Sequence, residues 1–191
     1  LHKLPIAKHH IPAGAVTFKE GDAKTLLRMS GEFFVPDPVG GDLLSEMPSK
    51  KSIEATRRYW QFLMREGDRL LVAELGEHIV GRVFINLRDR QSADSQIKAD
   101  LPTGIIERLK TIIEHCGIGQ ALIKNAESII AAEGLAASEI GVHKDNQRAK
   151  RIYEQAGYMV LLNDYEERLP SFEGGYTARY AYPSYVLFKE L

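Results

Sequence analysis

Apolar positions along the chain fall into two periods, and their order outlines the fold. Val16-Thr17-Phe18 predicts a short strand, followed by Gly21 and by Asp22, which can cap a helix over Ala23 to Met29. From Phe34 to Pro48, three prolines and two adjacent glycines predict a loop. Ser52 can then start a helix to about Arg65, with Ile53, Trp60, Leu63 and Met64 near one face. Leu70 to Leu75 is an apolar strand, Gly76-Glu77 turns it, and Ile79 to Leu87 returns as an antiparallel partner. In that return strand Val83, Ile85 and Leu87 alternate with Arg82, Phe84 and Asn86, which predicts a half-buried strand.

Arg88 to Pro102 is polar and aperiodic, a surface loop. Ile105 to Ile113 predicts a fourth strand leading into Gly117-Ile118-Gly119. The helix after it carries Leu122, Ile123, Ala126, Ile129 and Ile130 on one face and ends at Gly134. Glu139 to His143 is a fifth strand. Ala149, Ile152, Tyr153 and Ala156, at i, i+3, i+4 and i+7, predict a helix closed by Gly157. Tyr158 to Leu162 and Ser184 to Phe188 complete the strands, with 164–182 as the long loop between them. Strands and helices in this mixed order predict a layered α/β domain spanning 1–191, with 1–15 as an arm.

Composition narrows the function classes. The 44% hydrophobic and 27% charged content of 191 residues is that of a globular domain with a core. A formal net charge of −1 gives no broad field to attract nucleic acid or an anionic membrane. No apolar run approaches the ~20 residues of a membrane-spanning helix. Leu1-His2-Lys3-Leu4-Pro5 lacks the basic-then-apolar pattern of a secretion signal. The single cysteine, Cys116, permits no intrachain disulfide, and a cytoplasmic location is expected.

Chemistry concentrates in the second half. A strand running into Gly117-Ile118-Gly119 before a helix offers free backbone N–H groups at the positive end of a helix dipole, a diphosphate-binding arrangement. A plain tight turn gives the same pattern. A dinucleotide fingerprint requires a small residue where Leu122 stands, and a P-loop requires a Gly-Lys-Ser/Thr that is missing. A nicotinamide-dependent enzyme is the rival that this turn leaves open. The six histidines show no metal-ligand spacing.

The run from Asn146 through Ala149 and Tyr153 to Gly157-Tyr158, following Gly117-Ile118-Gly119-Gln120-Ala121 and a helix, resembles the GNAT superfamily of N-acyltransferases. Its pattern is Gly-x-Gly after the fourth strand, then Asn-x-x-Ala-x-x-x-Tyr-x-x-x-Gly-Phe/Tyr after the fifth. Val72-Ala73-Glu74 and Ile79-Val80-Gly81 look like its second and third strands, so the resemblance covers roughly residues 70 to 160. Glu114 departs from it, standing where the family usually has Arg or Gln.

The resemblance implies a central mixed sheet, mostly antiparallel, with parallel, splayed fourth and fifth strands and helices on both faces. It implies acetyl-CoA as acyl donor, an amine as acceptor and no metal. Backbone groups near Lys110, Thr111 and Ile112 would bind the pantetheine amides. The turn Cys116-Gly117-Ile118-Gly119-Gln120-Ala121 would bind the diphosphate, with Asn146 and Ala149 beside the cofactor arm. Tyr153 matches the tyrosine that assists departure of the thiolate; its bland alternative is a core aromatic. Asn146 also suits a helix cap.

An amine with a pKa near 10.4 is roughly one part in a thousand neutral at pH 7, so a base is useful. Glu107, on the fourth strand, is the candidate by this resemblance, against an ordinary solvent-facing position; Glu74 is a weaker one. Arg148, Lys150 and Arg151 read as a solvated helix face rather than contacts for the ribose phosphate. In the 164–182 loop, Tyr165, Phe172, Tyr176, Tyr180 and Tyr182 with Glu166, Glu167 and Glu173 would wall the acceptor site. Covering the sheet edge or packing a homodimer are equal alternatives. Loss of catalysis with acyl-CoA binding retained is the alternative function.

Overall fold

The computed structural model describes residues 14–32, 61, 64, 68–87, 101–113, 116–168 and 181–191. In chain order these form β1 (Val16–Glu20), α1 (Ala23–Glu32), β2 (Arg69–Leu75), β3 (His78–Asn86) and β4 (Thr103–Thr111). There follow α2 (Ile118–Ala132), β5 (Ala137–His143), α3 (Gln147–Gln155), β6 (Met159–Arg168) and β7 (Ala181–Glu190). The strands make a seven-stranded sheet in the order β1-β2-β3-β4-β5-β7-β6. Every neighbouring pair is antiparallel except β4 and β5. This is the mixed sheet that the resemblance implied.

Alternation along β2 sorts its side chains between two cores. Leu71 and Ala73 join Val83, Ile85, Ile106, Ile140 and Leu187 under Leu122, Ile123, Ala126 and Ile130 of α2 and Tyr153 of α3. Leu70 and Val72 join Ile79 and Phe84 under Leu26 and Met29 of α1. Helices therefore cover both faces. The expectation of a half-buried β3 is corrected: every position from Ile79 to Asn86 is buried, Arg82 and Asn86 included. A strand third of seven, under helices on both sides, has no solvent face to give its polar positions.

Local chemistry sets the ends of these elements. At the start of α1, Thr25 N–H donates to Asp22 Oδ1 at 2.8 Å, while Asp22 N–H donates to Thr25 Oγ1 at 3.2 Å. Gly81 lets α2 lie close on β3, since a Cβ there would stand 2.9 Å from Leu122 and 3.0 Å from Ile118. The fourth strand begins and ends two residues before its expected bounds, because Thr103 and Gly104 are drawn in by pairing with Ala137 and Ser138. β6 and β7 run into the expected 164–182 loop, Glu167 pairing with Tyr182. β6 is an edge strand, where charged residues are accommodated without burial.

The expected helix from Ser52 lies outside the described residues except for Gln61 and Met64, both helical, Met64 packing on the α1-side core. Residues 1–13, the segments 34–48 and 88–100 expected to be loops, Glu114 and residues 169–180 also lie outside them. Among the described residues no helix is long and apolar enough to cross a membrane.

Candidate active site

The parallel ladder between β4 and β5 is short. It pairs Thr103 to Ile106 with Ala137 to Ile140 and then stops. Beyond it β4 continues to Thr111 along β3, and β5 continues to His143 along β7. A gap opens between them. A bulge sits at the point of divergence: Phe84 pairs with Glu107 and Arg82 with Lys110, so Val83 alone faces Arg108 and Leu109. Arg108 takes a φ of 53°, uncommon without glycine, and Arg82 Nη1 donates to its carbonyl at 2.7 Å. The bulge turns the rest of β4 away from β5, leaving Glu107 to Thr111 with no ladder partner on that side.

The far end of β4 reaches the start of α2. Gly117 is the N-cap, in the left-handed conformation at φ 71°, and supplies no side-chain cap. The first intrahelical bond runs from Ala121 N–H to the Gly117 carbonyl at 3.0 Å. The first-turn N–H groups ahead of it, on Ile118, Gly119 and Gln120, are left as donors for a ligand or water. A cavity of about 340 Å³ lies over this turn, lined by Thr111, Ile113, Cys116 to Gln120, Arg148, Arg151, Ile152 and Gln155. Ile118 is buried in the core, which pins the turn from beneath. Gly119 faces open space, a Cβ there meeting only Thr111 Cγ2 at 3.9 Å.

Of the expected cofactor contacts, Thr111 and Cys116 through Gln120 meet at this cavity, while Lys110, Ile112, Ala121, Asn146, Ala149 and Tyr153 do not line it. Asn146 caps α3, its Oδ1 accepting from Ala149 N–H at 3.0 Å. Arg148 and Arg151 are exposed, yet they border the cavity rather than only a solvated face. Lys150 instead pairs with Glu154 at 2.5 Å and lies over the Tyr185 ring. The cavity-lining residues of α3 had a legible signature. Arg148, Arg151, Ile152 and Gln155 stand at i, i+3, i+4 and i+7, a helix stripe beside the apolar one.

Tyr153 lies on the α2–α3 side of the sheet, 6% exposed, its ring 6.5 Å from that of Tyr158. Tyr158 shares a 2.5 Å hydrogen bond with Ser138, whereas the Tyr153 hydroxyl has no partner among the described residues. Burial pushes the Tyr153 phenol up to about 12. Glu107 shares the opposite face of the sheet with Phe84. Glu74 is tied up: burial would raise its pKa, but Lys19 and Arg28, each at 2.7 Å, hold it below the ordinary range. Cys116 is exposed.

Comparison with known families decides what this arrangement belongs to. The model of the acetyltransferase (GNAT) family matches residues 39–158. The chain belongs to the GNAT family. Among solved GNAT-like structures is the ribosomal-protein-alanine N-acetyltransferase of Brucella melitensis, at 13% identity and a TM-score of 0.62, covering 92% of this chain and 99% of that one. The GNAT-family acetyltransferase of Streptococcus pneumoniae is 18% identical, with a TM-score of 0.57 and coverage of 92% and 99%. Salmonella typhimurium yncA, solved with its cofactor acetyl-CoA, is 13% identical, with a TM-score of 0.59 and coverage of 92% and 94%. At such identities the likeness is one of fold. No curated protein sequence matches this GNAT chain.

Proposed function

We propose that this GNAT protein transfers an acetyl group from acetyl-CoA to the amine of a small molecule, peptide or protein. One observation carries the reading: the gap between β4 and β5 ends at a helix start whose free N–H groups face a cavity. A flexible arm with amides would complete the open edge of β4 around Lys110 and Thr111, the Ile112 N–H being already donated to the Val80 carbonyl at 3.0 Å. A diphosphate would sit on the Gly117–Ala121 turn, where the dipole and unfilled donors favour an anion. The acetyl-CoA bound to yncA supports the same ligand here. Acetyl-CoA supplies an activated thioester.

In the reaction the amine nitrogen attacks the thioester carbonyl and the carbon–sulfur bond breaks. Glu107 takes the amine proton, directly or through water, and Tyr153 donates a hydrogen bond to the departing sulfur. Acetylated amine and free CoA result. The two side chains belong to opposite faces of the sheet, so in this reading acceptor and leaving group are handled on separate sides. A single-domain cytoplasmic enzyme fits the one cysteine and the composition.

Titration with acetyl-CoA followed by turnover with a panel of amines tests the proposal. Binding with release of CoA on addition of an amine is expected. Binding without transfer to any amine would leave an acyl-CoA-binding module, and absence of binding would remove the reading altogether.

Arg148→Ala and Arg151→Ala are each expected to weaken acetyl-CoA binding about three- to tenfold, because an exposed cation on a phosphate contributes at most ~1 kcal/mol. The loss should shrink at 0.5 M salt. Equal affinity in the wild type and the double variant at low salt would return these arginines to solvent.

A further inference from the structure

The amines of Lys19, Lys144, Lys150 and Lys189 are each held by a carboxylate: Glu74, Asp164, Glu154 and Glu127 in turn. Lys110 lacks such a partner. It is half-buried near the end of β4, and its amine has neither ion pair nor hydrogen bond among the described residues. Pairing with Arg82 of β3 places its side chain on the face of Phe84 and Glu107, opposite α2 and α3. Burial, and after it the Arg82 guanidinium, lowers its pKa and so enlarges the share of neutral amine.

Its place along the strand matters as much. Thr111, the next residue, lines the cavity over the first turn of α2, whereas Glu107 lies the other way, beyond the bulge. An arm running from that turn along the open edge of β4 passes Lys110 before its thioester comes level with Glu107 and Tyr153. A lysine stem spans about two residues of strand, enough to bring Nζ to the thioester carbon from the face opposite Tyr153. Resting on the acetyltransferase reading above, we infer that Lys110 is itself an acetyl acceptor, modified by the acetyl-CoA bound to its own chain. The ammonium first releases a proton to water. Nζ then attacks the thioester carbonyl, a nitrogen–carbon bond forms as the carbon–sulfur bond breaks, and one of the protons on nitrogen passes to the CoA thiolate. Acetyl-lysine and free CoA result. The product no longer carries the charge that partial burial disfavours, and the stable amide stands on the acceptor's side of the gap.

Incubation of the whole chain with acetyl-CoA and no added amine, followed by intact mass measurement and peptide mapping, is the test. One acetyl group per chain, on Lys110, is expected, forming about a hundredfold faster than on the exposed Lys124, a modest part of what proximity supplies. The rate should saturate with acetyl-CoA, fall with excess free CoA and be independent of protein concentration. Mapping of the wild type locates the group without any variant, and Lys110→Arg should remove the fast phase. Acetylation of Lys110 no faster than of Lys124 overturns the inference, as does a rate that rises with protein concentration. The panel of amines separates this result from that of the transferase reading. Amines acetylated while Lys110 stays unmodified leave the reading intact and sink the inference. Lys110 acetylated while every amine is refused upholds the inference and removes the external acceptor. Without acetyl-CoA binding, both fall.

Discussion

Gly119→Glu is expected to weaken acetyl-CoA binding by about a hundredfold while leaving the melting temperature within a few degrees of the wild type. Gly119 lies in the first turn of α2 with its Cα open to the cavity. A glutamate there would place a carboxylate roughly 5 Å from any diphosphate on the turn. At an effective dielectric near 20 that repulsion is about 3 kcal/mol, or roughly two decades in affinity. The fold has no matching reason to suffer, because a Cβ meets only Thr111 at 3.9 Å. Alanine in a helix is also about 0.5–1 kcal/mol better than glycine. Gly119→Ala is therefore the control: stable, with a much smaller change in affinity. Calorimetric titration with acetyl-CoA and thermal melts separate the two effects. An unchanged dissociation constant in the glutamate variant would remove the diphosphate from this turn.

What the sequence made legible and what it hid follow one physical division. Gly117 and Gly119 announced the turn into α2 because glycine there answers a local need: a left-handed cap at one position and an unfilled surface at the other. Asn146 announced the start of α3 because its cap is a bond to a residue three positions on. The divergence of β4 from β5 was foreseen only through family resemblance. Its local agent, the bulge at Arg108, is an ordinary-looking residue held at positive φ by Arg82, distant in sequence. Burial of β3 on both faces was hidden for the same reason. Arg82 and Asn86 read as solvent positions until α1, the neighbouring strands and their tertiary partners close over them. Arg148 and Arg151 show the reverse case, where helical periodicity already placed them on one stripe with Ile152 and Gln155 beside the cavity.

Tyr153→Phe is expected to lower kcat by roughly ten- to a hundredfold with acetyl-CoA affinity nearly unchanged, the signature of stabilisation confined to the transition state. A thiol near pKa 8.5 facing a phenol at about 12 makes full proton transfer uphill by about 5 kcal/mol. The phenol can nevertheless donate a hydrogen bond to sulfur as charge develops, and burial makes it a donor at every working pH. Raised above the ordinary 10, it stays protonated through pH 11, so the wild-type rate should show no basic limb from Tyr153 below that. The same shift stabilises the fold below pH 10 and is lost as pH climbs through about 12. The phenylalanine variant should therefore lose less stability over that alkaline interval. A merely packing role would be satisfied by phenylalanine. What distinguishes the donor is the leaving group: across acyl thioesters of rising thiol pKa, the variant's rate should fall more steeply than the wild type's. Parallel slopes with an unchanged kcat would assign Tyr153 to the core alone.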